Sequence, residues 1–176
     1  MSAFPAKTRG QSAVLIAFAL PFLVAFVLLV VEVSERWLEV AMVEDALQEA
    51  TRSAVQTFDY AALARGGGGM GVPTPCRSVT TGGAGACRAV IAVADRFLRT
   101  NLTGVRGLGE PIDGLANRVR WTVLPQGGTC QYSAGIARTE ITPLICAEVR
   151  PVMTGIVGWG GFAPLITAAD TIDPIR

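Results

Sequence analysis

The sequence predicts an α+β protein: one long N-terminal helix, half membrane-spanning and half amphipathic, then a small exported domain with a short helix and three or four antiparallel strands. Three observations carry this prediction. From Ala13 to Val31 no polar side chain occurs, a run of about 28 Å at 1.5 Å per residue, close to the apolar thickness of a bilayer. Beyond it, apolar residues return at helical spacing, and no glycine or proline interrupts the chain between Pro21 and Gly66. The remainder carries short alternating segments and four cysteines.

Composition narrows the function classes. The chain has 176 residues, 51% apolar and 16% charged, with net charge +1 and no histidine. Two large domains do not fit this length. A disordered chain needs low hydrophobicity and high net charge. The neutral balance disfavours a nucleic-acid partner. Chemistry that needs a histidine base or ligand is excluded.

Residues 1–10 form a basic leader with Lys7 and Arg9 and no acid. Residues 11–33 form the expected transmembrane helix. A signal peptide is the competing reading, but its apolar core is shorter and ends in a small-residue cleavage site, whereas this run leads into Glu32, Ser34, Glu35 and Arg36. Pro21 removes one helical hydrogen bond and is expected to kink the helix, which membrane helices tolerate. The basic flank places the N-terminus inside and the rest of the chain outside the cytoplasmic membrane.

Residues 34–60 form the amphipathic extension. Trp37, Val40, Val43, Leu47, Ala50, Ala54 and Phe58 recur at steps of three and four, one stripe of a helix. Glu39, Asp45, Gln48, Glu49 and Arg52 fall largely off it. The stripe has two possible partners, neighbouring helices or the chain's own exported domain, and Trp37 suits a membrane interface. Residues 61–85 read as a Gly-rich loop. Gly66–Gly69 lacks the Lys-Ser/Thr and the preceding strand of a phosphate-binding loop.

Residues 86–176 form the expected exported domain. A helix from Cys87 to about Leu102 buries Val90, Ile91, Val93, Ala94, Phe97 and Leu98 and exposes Arg88, Asp95, Arg96 and Arg99. Arg118–Leu124 alternates imperfectly, with Val119, Thr122 and Leu124 set against charged positions. In Ile141–Met153, Ala147 and Val149 oppose Glu148 and Arg150, and Pro151 marks a strand end. Gly155–Pro164 is a turn-rich apolar stretch with Trp159 and Phe162, and a last strand is expected within Leu165–Ile172. Asn101-Leu102-Thr103 matches a glycosylation sequon, a short pattern common by chance. Cys76, Cys87, Cys130 and Cys146 suit disulfides in an exported domain. Proximity favours Cys76–Cys87 and Cys130–Cys146 over the other pairings and over free thiols. The spacing has no C-x-x-C to suggest zinc.

The N-terminal pieces together resemble a family. A basic leader ending in Arg9-Gly10, then Gln11-Ser12-Ala13-Val14, an apolar run containing Phe18-Ala19-Leu20-Pro21, and Glu32 near its end look like the TadE/TadG-like pseudopilins, minor pilin-like components of tight-adherence (Flp) pilus systems. The resemblance rests on about a quarter of the chain; Ile166-Thr167-Ala168-Ala169 fits the family's closing segment more loosely. It implies a pilin-like helix and cleavage by a prepilin peptidase between Gly10 and Gln11. It also implies residence in the bacterial inner membrane or in a pilus, and assembly with other pilin-like subunits and pilus assembly proteins. No cofactor or metal is implied, and the lipid bilayer is the remaining partner. One position departs: where many pilin-like proteins carry a glutamate, five residues after the cut, this chain has Leu15. A lone charge in lipid is costly, so that glutamate needs a neighbour's amine. Its replacement implies a tip or initiating subunit, or a chain that is never cut.

Other readings compete. Glu32 either meets a cation of an assembly partner or marks the water boundary. Paired carboxylates such as Glu140 and Glu148 are of the type that does acid/base work, but nothing in their spacing singles them out from solvated strand residues, and no enzyme is expected. A single-pass, membrane-anchored binding module, neither processed nor incorporated into a filament, is the alternative function.

Overall fold

The structure, a computed structural model, describes residues 9–57, 71–72, 74–155 and 160–172, of which residues 9–13 are described by backbone only. Phe58, Gly66–Gly69 and Trp159 lie outside the described residues. The chain has a long N-terminal apolar helix followed by a small domain with shorter helices and antiparallel strands, an α+β arrangement.

Helix α1 runs Arg9–Val55 without a break, continuing through Pro21. Its 47 residues span about 70 Å. The absence of glycine and further proline permits this length, and tertiary packing of its second half supports it. It ends at Val55, where Gln56 and Thr57 form a turn.

The segment expected as loop to residue 85 contains strand β1, Cys76–Val79. Its pairing with the next strand is irregular, and Ser78 has φ 51°. Helix α2 follows at Arg88–Leu102 and buries Val90, Ile91, Ala94, Leu98 and Leu102. Phe97 departs from the expected buried face and is 38% exposed. A short helix α3, Ile112–Arg118, was not anticipated. Arg99 joins the two helices: its Nε donates to Asp95 Oδ2 at 2.7 Å and its Nη2 to Asn117 Oδ1 at 2.9 Å, with Asp113 as a third partner. The hydrogen bond to Asp95 comes first among the causes that raise the Arg99 pKa, with Asp113 adding to it against the opposing effect of burial.

Strands β2 (Arg120–Leu124), β5 (Leu144–Val149) and β8 (Ile166–Thr171) join β1 in an antiparallel sheet ordered β1-β2-β5-β8. Register sets Trp121 opposite Ala147, Val123 opposite Ile145, Ala147 opposite Ala168 and Val149 opposite Ile166. These residues form one buried face with α1 and α2 over it. The alternation therefore runs through Trp121 and Val123. Thr122 takes the other face, and Val119 is buried just before the strand. Glu148 does oppose Ala147 and Val149, and β5 ends two residues before Pro151.

The other sheet face is covered in part by a third unanticipated element, the hairpin β3 (Gly128–Gln131) and β4 (Ala137–Glu140). Leu124, Cys130, Leu144 and Cys146 form a small second core there with Tyr132 against it. The Tyr132 hydroxyl donates to Ala168 O at 3.1 Å, and burial raises its pKa. Gly127 enters the hairpin at φ +79°, and a Cβ there would stand 2.6 Å from the Ile141 carbonyl carbon, so no other residue fits. Disulfides Cys76–Cys87 and Cys130–Cys146 pin β1 to the start of α2 and the hairpin to β5. A short pair, β6 (Met153–Thr154) with β7 (Gly161–Phe162), completes the described strands.

Candidate functional site

The residues singled out in the sequence are strung along α1, and its two halves behave differently. Residues 14–31 are exposed throughout. Among the described residues α1 is the one helix long and apolar enough to cross a membrane. Gly10 and Gln11 lie in its first turn. Leu15 is 71% exposed, and Pro21 is exposed too.

The second half packs against α2, β8 and β5. Val43, Leu47, Ala50 and Ala54 are fully buried there, and Val40 is partly buried. Burying a side chain such as Leu47 contributes about 1.5–3 kcal/mol. Arg52 Nε adds an ion pair to Asp170 Oδ2 of β8 at 3.5 Å. This part of the stripe is thus covered by the chain's own domain.

Trp37 does not belong to that stripe. It is 75% exposed and Leu38 is 60% exposed. At 3.6 residues per turn, Trp37 lies about 120° round the helix from Val43. Val30, Val33, Trp37, Leu38 and Ala41 continue the uncovered apolar surface on the side away from the domain. Ser34 interrupts it mildly, because its hydroxyl donates back to Val30 O at 2.8 Å.

On the domain side, the covered face is carried toward the apolar run by charges. Glu32 is only 2% exposed. Arg36, one turn later, donates from Nε to Glu32 Oε1 at 2.8 Å and from Nη2 to Gly160 O at 3.4 Å. Its guanidinium sits 5.1 Å from the centre of the Phe162 ring, a cation–π contact. Glu32 therefore is not a solvated boundary marker, and the cation it meets belongs to its own chain. Gly155 closes over it: a Cβ on Gly155 would stand 1.6 Å from Glu32 Oε1. One turn on, Glu39 Oε2 accepts the backbone N–H groups of Arg106 at 3.1 Å and Gly107 at 3.0 Å. Two loops of the domain thus grip the helix at the end of its apolar run. Sequence reasoning missed Arg36, Glu39, Arg106 and Gly155. The Glu32/Arg36 spacing of four was the available signal.

The paired carboxylates have structural partners. Glu148 Oε2 accepts the Ser133 N–H at 2.8 Å, and Glu140 Oε1 lies 3.2 Å from Arg138 Nε. No group of three or more potential metal ligands occurs among the described residues. No known family, curated protein or solved structure matches this chain.

Proposed function

We propose that the chain is a minor pilin-like, pseudopilin structural subunit of a Tad/Flp-type pilus or related secretion assembly, held in the inner membrane with its N-terminus cytoplasmic and its domain exported. One observation carries the reading: a single 47-residue helix whose residues 14–31 are apolar and uncovered while its second half is built into a small disulfide-bonded domain. A helix with an uncovered apolar half suits lipid first and neighbouring helices second. The two disulfides suit an oxidising compartment, which supports an exported domain.

The geometry narrows the assembly surface. With Val43, Leu47, Ala50 and Ala54 buried at home, the surface left for other pilin-like subunits is the apolar run together with Val33, Trp37, Leu38 and Ala41. Leu15 in place of a buried carboxylate supports a position at a tip or at initiation, where one side needs no ion-pairing neighbour.

Mass spectrometry of the membrane-extracted protein, expressed with and without a prepilin peptidase, tests the reading. The expected product begins at Gln11 with the peptidase and at Met1 without it, and Gly10→Val blocks the shortening. A chain that keeps Met1 in the presence of an active peptidase overturns the processing claim and leaves an anchored module.

A further inference from the structure

At the same junction a cavity of about 190 Å³ opens among Glu35, Arg36, Glu39, Arg106, Gly107, Thr154 and Gly155. Three of its four charged residues differ in what they are already doing. Arg36 is held by Glu32 and the Gly160 carbonyl. Glu39 is held by two backbone N–H groups. Glu35 has no hydrogen bond or ion pair among the described residues, and its Oε2 has no accessible surface. The fourth, Arg106, is exposed, with its guanidinium in no ion pair among the described residues. A carboxylate partly withdrawn from water and left without a partner is costly, and a hydrogen-bonding cation removes that cost.

Position selects the cation. Glu35 stands one turn beyond Val31, the last residue of the apolar run, so in a membrane the cavity lies at the level of the headgroups. We propose that it receives the headgroup of a primary-amine zwitterionic phospholipid, its ammonium donating to Glu35 and its phosphate meeting Arg106. The two groups are fixed in opposite sign on one cavity, as ammonium and phosphate are on one headgroup. A guanidinium offers paired donors to phosphate oxygens. The volume corresponds to roughly six waters, room for a short amino-phosphate. A trimethylated ammonium has no N–H to give and a glycerol headgroup has no cation for Glu35, so both are discriminated against. The inference rests on the membrane-spanning reading of α1.

The test uses the full chain in nanodiscs of mixed phosphatidylethanolamine and phosphatidylcholine. Lipid retained on detergent extraction is counted by native mass spectrometry. A charge-assisted hydrogen bond corresponds to about tenfold enrichment of phosphatidylethanolamine over the bulk ratio. Glu35→Gln brings the ratio back to bulk, and Arg106→Gln, which removes a contact to the phosphate that both lipids carry, lowers the total lipid retained while unchanged near-ultraviolet dichroism shows the fold intact. Soluble glycerophosphoethanolamine that erases the enrichment identifies the headgroup, not the acyl chains, as the bound part. Retention at the bulk ratio, or enrichment that survives Glu35→Gln, overturns the proposal. Protein that elutes free of nanodiscs overturns the membrane reading itself, and the lipid site with it.

Discussion

Gly155→Ala isolates how the domain grips the helix. Gly155 does not have a positive φ, so alanine brings no backbone strain of its own. The whole effect comes from one methyl, whose carbon would sit 1.6 Å from Glu32 Oε1 and 2.6 Å from its carboxyl carbon. Ordinary contact begins near 3.4 Å, so the carboxylate or the loop must retreat by about 2 Å, which a close-packed site does not absorb by small adjustments. If Glu32 moves, it leaves the 2.8 Å contact with Arg36. Breaking a buried pair costs about 3–5 kcal/mol. Arg36 keeps a quarter of its side-chain exposure, so solvent recovers part of that and about 2–3 kcal/mol is expected. If the loop moves instead, overpacking costs about 1–3 kcal/mol. Urea unfolding of the detergent-solubilised chain, followed by near-ultraviolet dichroism of the buried Trp121, reads the loss. A double-mutant cycle with Glu32→Ala identifies the cause, because alanine at 32 removes the atoms the methyl strikes. The double variant is expected to be no less stable than Glu32→Ala alone. A Gly155→Ala chain within about 0.5 kcal/mol of the parent, or strictly additive costs in the cycle, refutes the clash.

The disulfides and the hairpin give two further predictions. The bonds close loops of 11 and 16 residues, so replacing either pair by alanine is expected to remove about 3 kcal/mol in the same urea assay. Loss of Cys130–Cys146 should also raise hydrogen exchange in β3 and β4 more than in β2, and equal exchange in all three would refute the pinning role. Tyr132 should make stability fall at high pH. Burial raises its pKa in the native state, so the folded chain holds the phenol proton more tightly than the unfolded chain. That stabilisation is complete below the ordinary tyrosine value of about 10 and is lost as pH rises through the raised native value. Absorbance titration of the parent should show a late phenolate step that Tyr132→Phe removes; removal of an ordinary step instead refutes it.

How far the sequence reveals this structure depends on how regular each element is. The apolar run and the unbroken stretch after it define α1 almost to its end. Helix α2 is legible because Val90, Ile91, Ala94, Leu98 and Leu102 keep one helical face, and the cysteine pairing follows from proximity. The missed elements lack a period. Strand β1 has four residues with an irregular pairing at Ser78. Helix α3 has seven residues with Gly114 among them. The hairpin strands are mostly polar and are held by Cys130 and Tyr132 rather than by an alternating apolar face. At the junction the failure is of another kind. Apolar spacing continues the stripe from Val40 to Trp37, whereas the face that packs continues through Arg36 to Glu32. A hydropathy pattern cannot assign a buried face to charges, because their burial depends on a glycine and a carbonyl more than a hundred residues away in the chain.

That substitution of charge for apolar contact has a consequence for the uncovered face of α1. On the domain side, the apolar surface of α1 stops at Val31, closed by Glu32 and Arg36. On the far side it extends through Val33, Trp37 and Leu38 to Ala41, about 15 Å further along the helix. A bilayer has one thickness and cannot match both lengths. In a helix that spans a bilayer, tilting would bring the far side deeper, where Trp37 would meet the interface that suits its ring. A second helix laid along that side covers the same residues without displacing anything the domain holds. An apolar grip at positions 32 and 36 would have made the two sides alike and left the helix free to present either. The buried ion pair removes that choice: it fixes which side of α1 belongs to the domain, and so which side is left uncovered.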